Sequence, residues 1–213
     1  MHMDFVKELE RHKIIAIMRG VTLEQSAHTA EALYKGGIRF LEVTMNTESW
    51  AEILKAWRIS HEGRMWIGAG TVLNVNMAKE AVAAGAQFLV TPNTDLEVID
   101  YAVEKDIPII PGALTPTEIV AAWNAGATAV KLFPMSTLGL PYFKEIRAPL
   151  DQIRIVPTGG INHSNIAEFV KAGAFGLGMG NSLVDKSAIA AGDYAKLTAS
   201  AETLMNAVRS SKN

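Results

Sequence analysis

Residues 125–134 read Ala-Gly-Ala-Thr-Ala-Val-Lys-Leu-Phe-Pro. The opening Ala-Gly-Ala is typical of a helix end, where glycine allows the chain to turn through a positive φ. Residues 127–133 form a short, nearly continuous apolar run, which favours a strand buried on both faces of a parallel sheet. The stretch therefore predicts a helix that ends near Gly126 and leads directly into a buried strand.

The same unit recurs along the chain. Small residues around a glycine also precede apolar runs at Lys35-Gly36-Gly37, Ala84-Gly85-Ala86 and Ala172-Gly173-Ala174. Short apolar runs bounded by Gly, Pro, Thr or Asn predict eight strands, at residues 14–18, 38–44, 65–69, 87–91, 107–111, 127–133, 153–157 and 175–179. Amphipathic spacing predicts helices between them, most clearly at residues 22–34, 76–84, 95–104 and 162–171.

Two capping boxes support the predicted helix starts. Thr22 precedes Gln25 by three residues, and Thr115 precedes Glu118 by three residues. Strands that alternate with helices over 213 residues predict an α/β fold, a (β/α)8 TIM barrel preceded by an N-terminal helix. An open doubly wound sheet predicts the same local pattern and is the alternative. No linker or shift in composition divides the chain, so we expect a single domain over residues 1–213.

The composition excludes several functional classes. Hydrophobic residues make up 49% of the chain and charged residues 20%, with a net charge of −2, so no basic surface indicates nucleic acid. The absence of cysteine excludes disulfides and thiolate chemistry. The N-terminus has no apolar signal region, and no apolar run approaches the roughly 18 residues of a membrane span. We therefore expect a cytoplasmic protein with no membrane partner.

Two charged residues interrupt predicted buried strands. Lys131 lies in the sixth apolar run and Glu42 in the second. A buried charge is unfavourable unless it is paired, shifts its pKa or faces a polar cavity. Both residues lie toward the carboxyl ends of their runs, where barrels build their active sites. A desolvated lysine is a nucleophile toward ketones, but a structural ion pair between Lys131 and Glu42 explains the same pattern.

Two glycine turns follow the seventh and eighth predicted strands. Gly159 and Gly160 belong to the first turn, and Gly180, Asn181 and Ser182 to the second. Backbone N–H groups in such turns bind phosphate in many barrels, although tight loops alone also require glycine.

Two more polar residues are expected at the same end of the barrel. Arg19 ends the first strand and is a candidate for holding a carboxylate or a phosphate, although a surface arginine is equally ordinary there. Thr71 follows the third strand, where turn chemistry explains a Gly-Thr pair equally well.

Together these segments resemble the 2-keto-3-deoxy-6-phosphogluconate (KDPG) / 4-hydroxy-2-oxoglutarate (KHG) aldolase family over nearly the whole chain. The matching segments are Ala16-Ile-Met-Arg-Gly, Leu41-Glu-Val-Thr, Gly68-Ala-Gly-Thr-Val, Val90-Thr-Pro-Asn, Pro111-Gly-Ala-Leu-Thr-Pro-Thr-Glu, Val130-Lys-Leu-Phe-Pro and Pro157-Thr-Gly-Gly-Ile.

The resemblance implies a role for each matching residue. It implies that Lys131 forms an imine with the substrate and that Glu42 is the general acid/base. It further implies a set of substrate-binding residues, Arg19, Thr71, Pro92, Phe133 and Thr158, and a phosphate-binding backbone at Gly159, Gly160 and Gly180. We expect Asn181 and Ser182, in the same last loop, to complete the phosphate site. It implies a homotrimer without metal or cofactor, whose substrate is a small 2-keto-3-deoxy sugar acid.

Two positions depart from common members of the family. Asn46 stands where many relatives carry an arginine, although an asparagine also occurs there in some relatives, including galactonate-type ones. Asn181 stands where most relatives carry a serine. The expected reaction is cleavage of 2-keto-3-deoxy-6-phosphogluconate to pyruvate and glyceraldehyde 3-phosphate. Cleavage of the galactonate epimer, or of 4-hydroxy-2-oxoglutarate to pyruvate and glyoxylate, stays open.

Three rival functions use the same barrel. A metal-dependent phosphosugar epimerase needs histidines at strand ends, whereas His2, His12, His28, His61 and His163 all fall in predicted helices, loops or the N-terminus. A barrel that only binds a sugar phosphate has no use for a buried lysine. A pyridoxal phosphate enzyme on Lys131 shows cofactor absorbance when purified.

Overall fold

The computed structural model describes residues 2–211, with side chains from residue 4 onwards. Its strands are β1 Ile14–Met18, β2 Phe40–Thr44, β3 Trp66–Gly70, β4 Leu89–Val90, β5 Ile109–Ile110, β6 Gly112–Ala113, β7 Val130–Leu132, β8 Ile155–Pro157 and β9 Leu177–Met179. Its helices are α1 His2–His12, α2 Leu23–Lys35, α3 Trp50–Ser60, α4 Val75–Ala83, α5 Leu96–Glu104, α6 Pro116–Asn124, α7 Met135–Arg147, α8 Ile166–Lys171, α9 Lys186–Ala190 and α10 Tyr194–Ser210.

The parallel strands form a (β/α)8 barrel. One sheet runs β5-β4-β3-β2-β1-β9 and a second runs β6-β7-β8. Pro111, which has no N–H to donate, separates β5 from β6, so these two short strands are halves of one barrel strand. A parallel bridge between Thr158 and Gly178 joins the β8 side to β9. Because β9 also pairs with β1, the last strand meets the first, and the open-sheet alternative is wrong.

Several predicted boundaries are too wide. β4 covers only Leu89–Val90 within the predicted residues 87–91, and β2 starts at Phe40 although Ile38 is fully buried. Apolar character reports burial, which extends beyond the residues that pair in the ladder. α8 starts at Ile166 rather than at residue 162, because the Asn162 side chain accepts a hydrogen bond from Ser164 N at 2.9 Å and closes a turn instead.

Both predicted capping boxes and three of the four predicted helix-ending glycines are confirmed. Both capping boxes form, at Thr22 and at Thr115. The left-handed glycine that ends a helix is found at Gly85, Gly126 and Gly173, with φ between 90° and 102°. At the first repeat it is Gly37, with φ 95°, rather than Gly36, the middle residue of the triplet.

The barrel interior is apolar at one end and polar at the other. Alternate residues of a strand point inward, and near the strand starts these are large rings such as Phe40 and Phe88. Helix α1 covers this end with Phe5, whose ring centroid lies 5.3 Å from Phe40, 5.2 Å from Trp66 and 5.3 Å from Phe88. The end where the strands start is therefore closed, and only the opposite end has room for a functional site.

None of the helices within residues 2–211 combines the length and the apolar character that a membrane span needs.

We expect Phe5→Ala to lower the free energy of unfolding by about 3–5 kcal/mol, because it removes a fully buried ring and leaves a cavity under the barrel. Urea unfolding followed by circular dichroism measures this loss. Lys7→Ala, an exposed change on the same helix, is the control and is expected to stay within about 0.5 kcal/mol of the wild type. A Phe5→Ala protein as stable as the control would contradict the role of α1 in closing the end of the barrel where the strands start.

Candidate active site

Glu42 and Lys131 face each other across the barrel interior. Each is the central or near-central residue of its strand, β2 and β7, and these strands lie four positions apart among the eight around the barrel. The side chains are buried, with 2% and 9% of their surface exposed. Both line a small cavity of about 10 Å³ together with Thr158 and Gly178, which has room for about one water molecule.

Glycine on the neighbouring strands makes room for these groups. A Cβ atom on Gly70 of β3 would lie 2.5 Å from Glu42 Oε1, and a Cβ on Gly178 of β9 would overlap Thr158 Oγ1. The carboxyl group therefore occupies space that any other residue at position 70 would fill. Gly70 and Gly178 are therefore required by the space that Glu42 and Thr158 occupy, and not by the formation of a turn.

Burial shifts both groups toward their neutral forms. Burial raises the pKa of the Glu42 carboxyl, and the positive charges of Lys131 and Arg19 oppose this shift in part. Burial likewise lowers the pKa of the Lys131 amine; the charge of Arg19 adds to the lowering and the charge of Glu42 opposes it. A larger fraction of Lys131 is therefore the unprotonated amine, the form that attacks a carbonyl carbon.

A second, larger cavity of about 570 Å³ opens above the first one. The two adjoin, because Ile17, Thr158 and Gly178 line both. Phe133 is exposed and lines the larger cavity, and the centroid of its ring lies 4.9 Å from Lys131 Nζ. Lys131 thus lies at the base of a pocket that is open to solvent.

The predicted glycine turns line this larger cavity. Gly159 and Gly160 have φ of 96° and 72°, a conformation that favours glycine. A Cβ at Gly180 would meet nothing within 4 Å, so its backbone is open to the cavity. Ser182 joins the two turns, because its hydroxyl donates to the carbonyl of Ile161 at 2.5 Å. Asn181 is exposed and also lines the cavity.

Arg19 lines the same cavity from the β1 side. The backbone after it is held in place, because Gly20 N–H donates to Thr47 Oγ1 at 3.1 Å and that hydroxyl contacts Thr44 Oγ1 at 3.0 Å. The lining residues include no carboxylate among residues 2–211. The pocket therefore suits an anionic ligand.

Two of the predicted residues lie outside both cavities. Thr71 is half-buried with a left-handed φ of 61° and lines neither of them. Pro92 packs against the strand next to Lys131 instead, since a Cβ on Gly112 would collide with the Pro92 carbonyl group, and Gly112 pairs with Lys131. Their roles in substrate binding stay predictions.

Among the polar residues that line the larger cavity, the sequence analysis missed Ser136, Asn162 and Lys186. Ser136 supports the first glycine turn, since its Cα would lie 2.8 Å from a Cβ on Gly160. Lys186 follows the second turn by a few residues, and nothing in the sequence separates it from other surface lysines. Over residues 2–211, no cluster of His, Asp and Glu side chains is arranged to hold a metal ion.

A (β/α)8 barrel whose open end holds a buried amine facing a buried carboxyl is the arrangement of a carbon–carbon lyase of the aldolase type. The chain belongs to the KDPG and KHG aldolase family, whose model matches residues 6–200.

Individual relatives agree with this membership. The chain is 38% identical to the 2-dehydro-3-deoxy-phosphogluconate aldolase of Treponema pallidum, over 94% of this chain and 95% of that protein. It is 35% identical to the 2-dehydro-3-deoxy-6-phosphogalactonate aldolase of Escherichia coli, over 80% and 83%. A KDPG aldolase from Legionella pneumophila, solved with pyruvate as a covalent carbinolamine intermediate, superposes with a TM-score of 0.86 at 29% identity, over 93% and 97%.

We expect Gly70→Ala to lower kcat for aldol cleavage about 100-fold, because the new methyl group displaces the Glu42 carboxyl by about 1 Å. Gly68→Ala is the matched control on the same strand, since its methyl group meets the Phe88 ring instead of Glu42. Steady-state kinetics of both variants, with a crystal structure of each, measures the effect. Equal losses in the two variants would show that crowding of the barrel, and not displacement of Glu42, lowers the rate.

Proposed function

We propose that this protein is a class I aldolase that cleaves 2-keto-3-deoxy-6-phosphogluconate to pyruvate and glyceraldehyde 3-phosphate. The observation that carries the proposal is the buried Lys131 amine, which faces Glu42 in the inner cavity. The adjoining outer cavity has no carboxylate among its described lining residues. The name of the Treponema pallidum relative supports the substrate. The carbinolamine in the Legionella pneumophila enzyme supports covalent attachment of the keto acid.

Lys131 supplies the electron sink. Its neutral amine adds to the C2 ketone of the substrate, and loss of water gives a protonated imine. The lowered pKa of Lys131 favours the addition, since only the free amine holds a lone pair for the new bond. The Phe133 ring above the amine interacts favourably with a cation at this nitrogen.

Glu42 moves the protons. Directly or through one water, its carboxylate removes the C4 hydroxyl proton, the C3–C4 bond breaks, and its electron pair moves into the imine to form an enamine. The aldehyde leaves. Protonation of the enamine at C3 and hydrolysis of the imine release pyruvate and restore the free amine. The raised pKa of Glu42 suits a group that both accepts and returns a proton during the reaction.

The remaining predicted residues bind the two ends of the substrate. In this proposal Arg19 and Thr158, which line the larger cavity, hold the keto-acid part. Thr71 and Pro92, which lie outside both cavities, complete the predicted substrate-binding set. The turns with Gly159, Gly160, Gly180, Asn181 and Ser182 bind the phosphate with backbone N–H groups. The homotrimer, the cytoplasmic location and the independence from metals and cofactors stay predictions.

A second candidate substrate is the C4 epimer, 2-keto-3-deoxy-6-phosphogalactonate. It is favoured by the 35% identity to the galactonate-type enzyme of Escherichia coli and by Asn46, the second residue after the strand that carries Glu42. The imine chemistry is the same for both epimers, because they differ only in the configuration of the carbon whose hydroxyl Glu42 deprotonates.

The imine is tested by borohydride reduction in the presence of pyruvate. We expect labelling of the wild type at Lys131 and none in Lys131→Met, measured by mass spectrometry of peptides. Glu42→Gln is expected to retain labelling while kcat falls about 10²–10⁴-fold, since it keeps the amine and loses the proton transfer. Lys144→Met, at an exposed lysine of α7, is the control and is labelled like the wild type. Labelling that persists in Lys131→Met excludes the proposed nucleophile.

The substrate is tested by pyruvate release from the two phosphorylated epimers and from 4-hydroxy-2-oxoglutarate, assayed side by side. We expect kcat/KM to be highest for the gluconate-derived epimer. A value at least tenfold higher for the galactonate-derived epimer would establish the second candidate instead. No pyruvate from any of the three, in a protein that folds, would exclude the proposed function.

A further inference from the structure

Lys186 is a cation of the larger cavity that the predicted mechanism does not use. It is the first residue of α9 and lines the cavity together with the two glycine turns. Its Nζ lies 3.6 Å from the position of a Cβ on Gly20, so the ammonium group lies next to the turn that follows Arg19. Gly20, with a φ of 68°, leaves this approach open.

The charge of Lys186 is not neutralised by the acidic residue beside it. Asp185 accepts hydrogen bonds from the N–H groups of Ser187 and Ala188 at the start of α9. Its other carboxylate oxygen pairs with Lys196 Nζ at 2.8 Å. Lys186 itself forms no ion pair within residues 2–211. Its ammonium group is therefore available to an anion in the cavity.

Lys186 lies away from the reacting atoms. Lys131 and Glu42 line the inner cavity, whereas Lys186 lines only the outer one. The charge of Arg19 shifts the pKa of both Glu42 and Lys131, and Lys186 is not among the charges that shift either of them. Because the two cavities adjoin, a substrate bound covalently to Lys131 has room for its far end, which carries the phosphate of a phosphorylated sugar acid, only in the outer cavity that Lys186 lines.

We propose that Lys186 binds the terminal phosphate of the substrate and thereby sets the preference for phosphorylated over unphosphorylated 2-keto-3-deoxy sugar acids. This inference rests on the proposed function. Backbone N–H groups of the glycine turns supply directional hydrogen bonds, and Lys186 adds a full positive charge. Because the ammonium group is exposed, its contribution weakens as salt increases.

The test compares kcat/KM for the phosphorylated sugar acid with kcat/KM for its unphosphorylated form. We expect the ratio of these values to fall about tenfold in Lys186→Met, the size of one charge-assisted hydrogen bond. Lys186→Arg retains the ratio within about twofold, because it keeps the charge. Lys105→Met, which removes the same charge from the exposed end of α5 at the closed side of the barrel, leaves the ratio at the wild-type value.

Inorganic phosphate binding, measured by calorimetry on the same proteins, separates this inference from the proposed function. Weaker phosphate binding in Lys186→Met than in Lys105→Met supports the role of Lys186 even if no aldol cleavage is observed. A wild type that cleaves the substrate and forms the imine, with a ratio unchanged in Lys186→Met, overturns the inference and leaves the proposed function intact. An equal fall in Lys105→Met also overturns it, because the effect is then one of net charge.

Discussion

The burial of one amine opposite one carboxyl determines how the rest of this barrel is built. An ionised lysine or glutamate transferred from water into an apolar interior loses hydration that only a partner, a cavity or neutralisation offsets. Lys131 and Glu42 use all three, because they face each other, share a small cavity and have pKa values shifted toward the neutral forms. The same arrangement that destabilises the charged amine makes it a nucleophile.

The strands next to Glu42 and Thr158 carry glycines, which leave room for these side chains. Gly70 and Gly178 point into the barrel at positions where a methyl group would collide with Glu42 or with Thr158. At the closed end the interior is filled by the opposite means, with Phe5, Phe40 and Phe88 in contact. Large rings thus support the strands at one end, and glycines leave space for chemistry at the other.

The sequence predicted the parts of the fold that depend on local patterns. Apolar runs located every strand except β6, and the capping residues Thr22 and Thr115 marked helix starts, because these signals act over three to five residues. Strand ends and the break at Pro111 were not predictable, since pairing depends on neighbours distant in the chain. Lys131 and Glu42 stood out because a charge in an apolar run is anomalous. Lys186 did not, because its position beside Gly20 is created only when the barrel closes.

The two cavities divide the work of the site into chemistry and recognition. The inner cavity is too small for more than one water and holds the groups whose protonation matters, so changes there affect the reaction itself. The outer cavity is open, cationic and built largely from loops, which accept substitutions without disturbing the strands. Asn181 lies in that outer layer, and Asn46 lies in the loop after β2. Differences among relatives at such positions can therefore change which sugar acid is bound while the imine-forming pair stays the same.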